Sequence, residues 1–114
     1  MRTARTFFLI AALFVAMAAS AHAPKKVDLD YQSRDGVLKV SIVHPVKDVK
    51  DHYIIDIVVS VNGEEVKTIH LSEQTSKEKE ETSLNLTGLK AGDEIIVLAN
   101  CNKFGSKTGT TRVK

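Results

Sequence analysis

The chain has a single cysteine, Cys101, and it lacks several familiar catalytic signatures. One cysteine cannot form an internal disulfide, so Cys101 is a passive buried thiol, a partner in an intermolecular bond or a metal ligand. There is no Gly-rich phosphate loop and no nucleophile elbow, so the sequence gives no support for those two kinds of chemistry. No histidine follows Cys101, which argues against a blue-copper ligand set.

Long apolar runs are also rare, and the clearest one stands at the N-terminus. Arg2 and Arg5 give a basic start, residues 7–19 are apolar, and small residues flank His22 just before Pro24. This apolar run is too short to span a bilayer comfortably. We therefore predict that residues 1–23 are a cleaved signal peptide and that the protein is exported, to the periplasm or outside the cell. A retained anchor is the alternative.

The predicted mature domain, residues 24–114, has no excess charge of either sign. Removing Arg2 and Arg5 from the 16 Lys and Arg residues leaves 14, which equals the 14 Asp and Glu residues. A basic surface of the kind that binds nucleic acid is therefore not indicated. We expect no nucleic-acid partner, and no membrane association once the signal peptide is removed.

Apolar and polar side chains alternate through most of the mature chain, which predicts short β-strands. The strongest predicted strand is followed by Asn62-Gly63, a typical hairpin turn. The polar segment 72–81 is predicted to be a solvated loop. Seven strands and no helix predict one all-β domain, a seven-stranded antiparallel immunoglobulin-like sandwich. The predicted strands cover residues 27–31, 37–43, 53–61, 64–71, 82–86, 94–100 and 108–113. The predicted core contains Leu38, Val40, Ile42, Ile55, Ile57, Val59, Leu84, Leu86, Ile95 and Val97.

Three residues that can ligate a metal stand at the ends of predicted strands. His44 precedes Pro45, His52 follows a charged loop, and Cys101 lies where a strand gives way to a loop. A thiol at a strand end suits a metal because the sheet fixes the backbone while the loop leaves the sulfur accessible. From the residues alone, His44 can also be a loop residue, His52 a histidine satisfied by a carbonyl, and Cys101 an inert hydrophobe. His70 is predicted to be an ordinary surface histidine.

In this order, His44-Pro45, His52-Tyr53-Ile54 and Cys101-Asn102-x-x-Gly105 resemble the iron domain of the superoxide reductase family, which includes desulfoferrodoxin and neelaredoxin. The resemblance implies a mononuclear non-haem iron held by histidine nitrogens and one cysteine sulfur. It implies that His44, His52 and Cys101 are metal ligands. It also implies that the partner is superoxide or another small anion, and that superoxide is reduced to hydrogen peroxide with an electron from an unidentified donor.

Two of the five ligands of that family have no counterpart in this chain. The last family histidine falls on Phe104, which we expect to fill the volume of the missing imidazole, and the first falls near Lys25-Lys26. Lysines at positions 47, 50 and 103 lie near the proposed site in sequence and are candidates for attracting an anion. Two functions stay open: an exported superoxide reductase-like iron protein with an altered ligand set, or a non-catalytic interaction module of the cell envelope. A copper or zinc carrier is a third.

Overall fold

In the computed structural model, residues 23–114 are described, and they form seven β-strands in two antiparallel sheets. This range contains no helix, so it holds none that is long and apolar enough to cross a membrane. The strands are β1 Lys26–Gln32, β2 Val37–Val43, β3 Ile54–Val61, β4 Glu64–His70, β5 Lys79–Asn85, β6 Glu94–Cys101 and β7 Ser106–Arg112. The predicted all-β class and antiparallel pairing are confirmed, and the immunoglobulin-like plan stays a prediction. The predicted signal peptide lies outside the described residues except for Ala23.

The two sheets have different strand orders. One sheet has the order β1-β2-β5 and the other has the order β4-β3-β6-β7. Asn62 and Gly63 connect β3 to β4 with φ angles of 53° and 84°. Positive φ at both residues is what a type I′ turn requires, so the predicted hairpin is confirmed. Because β3 and β6 are the inner strands of the larger sheet, their ends are held by neighbours on both sides.

One apolar core lies between the two sheets. It receives Leu38, Val40 and Ile42 from β2, which alternate with outward-facing residues along that strand. β3 and β6 contribute Ile57, Val59, Ile95 and Val97 from the opposite side. Complete burial of a side chain of this size contributes about 1.5–3 kcal/mol relative to leaving it in water. Every predicted core residue except Ile55 is buried, and Val27, Ile54, Ala99 and Val113 join them.

The prediction was wrong for Ile55, whose side chain is 37% exposed. Ile54 pairs with Cys101, and the next pair along the strands joins Asp56 to Asn100, so Ile55 is an extra residue in β3. Such a bulge places two residues of one strand opposite one residue of its partner. Ile54 therefore takes the core position opposite the cysteine, and Ile55 points outward.

The polar segment 72–81 was predicted to be entirely loop, but its last residues belong to β5, which begins at Lys79. Glu80 is only 4% exposed. Its carboxylate accepts hydrogen bonds from the Thr75 backbone N–H at 3.0 Å and from the Thr75 hydroxyl at 2.7 Å. A buried carboxylate is tolerated where such bonds replace water. The start of β5 could not be predicted from the sequence, because the charged residue Glu80 occupies a buried position.

The sheets also meet along β1 and β7, where two backbones lie very close together. A Cβ atom added at Gly109 of β7 would stand 2.6 Å from the carbonyl oxygen of Val27 in β1. No side chain larger than hydrogen fits there without moving backbone. Gly109 therefore allows the two strands to close one side of the core.

Candidate metal centre

His44, His52 and Cys101 meet where β2 ends, β3 begins and β6 ends. One ligand atom from each residue can be chosen so that all three lie within 4.8 Å of one another. Bonds from a metal to nitrogen and sulfur are about 2.0–2.3 Å long, so two ligand atoms on one ion stand roughly 3–4 Å apart. The three residues therefore converge, as ligands of one metal must. Whether they bind a metal stays a prediction.

The side chains of the cluster are already close to one another. His52 Nε2 lies 3.1 Å from Cys101 Sγ. The rings of His44 and His52 meet edge to face, with 4.7 Å between centroids and 89° between ring planes. His44 is 1% exposed, whereas His52 and Cys101 are half-buried. The cluster is therefore anchored inside the protein at His44 and open to solvent toward the other two residues.

A tight loop after β6 orients the Cys101 sulfur. The backbone N–H of Cys101 donates to the carbonyl of Gly105 at 3.0 Å, and Gly105 has a φ of 86° that closes the loop. Within this loop the backbone N–H of Lys103 lies 3.4 Å from Cys101 Sγ. Hydrogen bonds to a sulfur ligand hold it in place and tune a metal bound to it.

Asn102 holds the residues on both sides of His52. Its backbone N–H donates to the Tyr53 carbonyl at 3.0 Å. Its side-chain Oδ1 accepts the Tyr53 N–H at 3.0 Å, and its Nδ2 donates to the Asp51 carbonyl at 2.9 Å. Because Asn102 follows Cys101 directly, these bonds fix the backbone of His52 relative to the cysteine.

His44 is held by a glutamine that sequence reasoning missed. The ring Nδ1 of His44 lies 2.7 Å from Oε1 of Gln74, and the backbone N–H of His44 donates to the carbonyl of Glu78 at 2.9 Å. Gln74 stands 30 residues away in the chain and belongs to a segment predicted to be solvated, so no local pattern marks it. A buried amide in an otherwise polar loop becomes recognisable only in the folded chain.

A cavity of about 590 Å³ opens beside His52. Its charges are balanced, with two lysines and two aspartates, and the Lys103 ammonium lies 3.1 Å from the Asp51 carboxylate. Lys47 and Lys103 line the cavity and Lys50 does not, and their role in attracting an anion stays a prediction. Since Asp51 offsets Lys103 directly and the net charge of the lining is close to zero, the pull of the cavity on a distant anion is weak. The lining residues are Pro45, Val46, Lys47, Asp48, Asp51, His52 and Lys103.

Phe104 is only partly enclosed by the protein, and the expectation that it fills the volume of a missing imidazole stays a prediction. Its side chain is 51% exposed, because it lies at the turn of the tight loop between Cys101 and Gly105. His70 is exposed on β4 and is not a member of the cluster, in agreement with the prediction. That two family ligands lack counterparts stays a prediction.

No protein-family model and no curated protein matches the chain. Solved structures with similar folds include a hypothetical protein from Pyrococcus horikoshii OT3, with a TM-score of 0.56 and 16% identity over 81% of this chain and 89% of that one. A superoxide reductase (neelaredoxin) variant from Archaeoglobus fulgidus in the reduced form has a TM-score of 0.51 and 14% identity over 86% and 92%. A superoxide reductase (neelaredoxin) variant from Ignicoccus hospitalis has a TM-score of 0.50 and 16% identity over 88% and 84%. At these identities the likeness shows a shared fold.

Proposed function

We propose that this chain is an exported, superoxide reductase-like protein in which His44, His52 and Cys101 hold a mononuclear non-haem iron. The observation that carries the proposal is that one ligand atom from each of the three residues lies within 4.8 Å of the others. They stand at one end of a fold that superoxide reductases share. Two imidazoles and one thiolate are also a donor set that suits iron.

The residues of the centre fit such an ion, because they offer suitable donor atoms and are held in place by hydrogen bonds. Iron bound there would supply the electron that converts superoxide, together with two protons, to hydrogen peroxide. Asn102 keeps His52 next to the cysteine, and the Lys103 N–H faces the Cys101 sulfur. The open cavity beside His52 gives a small anion a route to the centre.

The proposal includes a place in the cell and a partner. The basic and apolar N-terminal segment supports export to the periplasm or the medium. The three protein ligands are fewer than the five of the family, so we expect weaker iron binding and slower turnover than a complete site gives. An external reductant must restore the electron after each turnover, because the residues of the cluster include no group that supplies one repeatedly.

Anaerobic Fe(II) titration of the purified protein tests the proposal. We expect one iron per chain and, after oxidation, a visible thiolate-to-iron absorption band that disappears in Cys101→Ser. His70→Ala is the matched control, because it removes an exposed histidine outside the cluster and is expected to leave the band unchanged. A native protein that binds no iron contradicts the proposal. Loss of the band in His70→Ala contradicts the assignment of the three ligands.

A second function has an observation of its own. Phe104 is half-exposed at the position that matches a family ligand, and the cluster offers three donors. A chain that has lost the iron site would keep the fold as a non-catalytic interaction module of the cell envelope. The same titration separates the two functions, because only the iron protein yields the thiolate band and superoxide turnover.

A further inference from the structure

We propose that Gln74 is a positioning residue that holds His44 in the tautomer with its proton on Nδ1, which leaves Nε2 as the nitrogen that ligates the metal. The metal in this inference rests on the proposed function. The tautomer rests on the hydrogen bonds of Gln74. Gln74 lies in the loop before β5 and is 2% exposed. Its amide makes three hydrogen bonds around His44.

The orientation of the Gln74 amide is fixed by its surroundings. One end of the amide faces the carbonyl oxygen of His44 at 2.7 Å and the carbonyl oxygen of Ser76 at 2.9 Å. Carbonyl oxygens only accept hydrogen bonds, so this end must be the NH₂ group, which has two protons to donate. The reversed amide would place an oxygen against two other oxygens inside the protein, which is strongly unfavourable. Oε1 must therefore be the end that faces the histidine ring.

The tautomer of His44 follows from this orientation. Oε1 of an amide can only accept, and it lies 2.7 Å from Nδ1 of His44. Nδ1 must therefore carry the proton and donate it. In a neutral imidazole the other nitrogen, Nε2, is then the one with a lone pair. Metal-binding histidines commonly donate their second N–H to a neighbouring oxygen in this way, which fixes the ring and strengthens it as a ligand.

Gln74 also ties its loop to the loop that leads to His52. Its backbone N–H donates to the carbonyl of Val49 at 3.0 Å. Both histidines of the cluster are thus linked to one buried residue, His44 through its ring and His52 through the chain that precedes it. A change of the Gln74 side chain that keeps its volume removes the ring contact and leaves the backbone contact intact.

The tautomer is measured first on the native, metal-free protein. Two-bond ¹H–¹⁵N spectra of histidine-labelled protein at a pH of about 8, where histidine is ordinarily neutral, distinguish a protonated Nδ1 from a protonated Nε2. We expect the His44 ring to be in the Nδ1–H form, and His70, which is exposed, to serve as the internal reference. An Nε2–H form at His44 in the native protein overturns the proposal without recourse to any variant.

The variant Gln74→Met keeps the volume of the side chain and removes its hydrogen bonds. We expect it to populate the Nε2–H form of His44 and to weaken Fe(II) and Co(II) binding about 10–100-fold. Thr75→Val is the matched control, since it disturbs the same loop through the Glu80 carboxylate but leaves the Gln74 amide in place. It is expected to lower thermal stability while leaving the His44 tautomer and the metal affinity as in the native protein.

The outcomes separate this proposal from the function on which it rests. A native protein that binds no metal refutes the proposed function, and the Nδ1–H assignment is then judged on the metal-free spectra alone. Equal metal affinity in Gln74→Met and the native protein overturns the positioning role. Equal loss in Gln74→Met and Thr75→Val also overturns it, because that result indicates only a loosened loop.

Discussion

Asn102→Ala is the sharpest test of how the centre is held together. The substitution removes the side-chain bonds to Tyr53 N–H at 3.0 Å and to the Asp51 carbonyl at 2.9 Å, and it keeps the backbone bond to Tyr53. A hydrogen bond of this kind contributes about 1 kcal/mol net, so the two together are worth about 2 kcal/mol of folding free energy. In a domain of this size each kcal/mol changes the melting temperature by about 4–8 °C, so we expect a fall of about 8–16 °C.

The same substitution is expected to act on the metal centre. Without the Asn102 side-chain bonds, the backbone of His52 is no longer fixed relative to Cys101. The 3.1 Å contact between His52 Nε2 and Cys101 Sγ is then broken for part of the time. Removal of such supporting contacts typically lowers metal affinity about 10–100-fold. The assay is calorimetric Fe(II) titration combined with thermal unfolding of the metal-free and iron-loaded protein.

Asn85→Ala is the matched control for this test. Asn85 is exposed at the end of β5, and its backbone carbonyl, which accepts a bond from Lys67, is kept in the variant. A surface change of this kind is expected to alter stability by no more than about 0.5 kcal/mol. If Asn102→Ala and Asn85→Ala have the same melting temperature and the same iron affinity, the side-chain bonds of Asn102 do not position His52, and this prediction is wrong.

Two further predictions concern other parts of the chain. Phe104→His places an imidazole on the loop that carries Cys101, and we expect it to raise Fe(II) affinity in the same titration; unchanged affinity would show that position 104 cannot reach the cluster. A hydrogen bond from the Lys90 backbone N–H, with a second from Asn62, holds the pKa of Asp93 below its usual range. Its contribution to stability is therefore present above about pH 4 and is lost as the pH falls through the lowered pKa. Asp93→Asn should accordingly make the denaturation midpoint less sensitive to acid below about pH 4, and a variant with the native acid dependence would contradict this.

The strands and core could be predicted from the sequence where local pattern and tertiary environment agree. Leu38, Val40 and Ile42 alternate with residues that are partly or fully exposed, and all three are buried. Ile55 and Ile57 also follow an alternating pattern, but Ile55 is exposed. The bulge that turns it outward depends on pairing with β6, and nothing in the local sequence indicates it. Glu80 shows the opposite case, since a carboxylate is buried only where partners such as Thr75 satisfy it.

The three candidate ligands could be predicted from the sequence, but the hydrogen bonds that hold them in place could not. His44, His52 and Cys101 were identified as residues of suitable chemistry at strand ends, and they do converge. Gln74 was missed because its role depends on a hydrogen bond across 30 residues of chain, which composition does not reveal. Phe104 is half-exposed, and this was not foreseen because a motif gives the order of residues and not the exposure of a loop side chain.

The extra residue at Ile55 has a consequence for sequence comparison. In a regular strand the residue opposite Cys101 would come one position before Asp56, whereas in this chain it comes two positions before it. A relative with a regular third strand therefore needs one residue fewer between its counterparts of His52 and Ile57 to keep the same contacts. An alignment that penalises gaps inside strands would misalign either His52 or the core residue Ile57 by one position. Search patterns for this centre should accordingly allow variable spacing between His52 and the downstream strand.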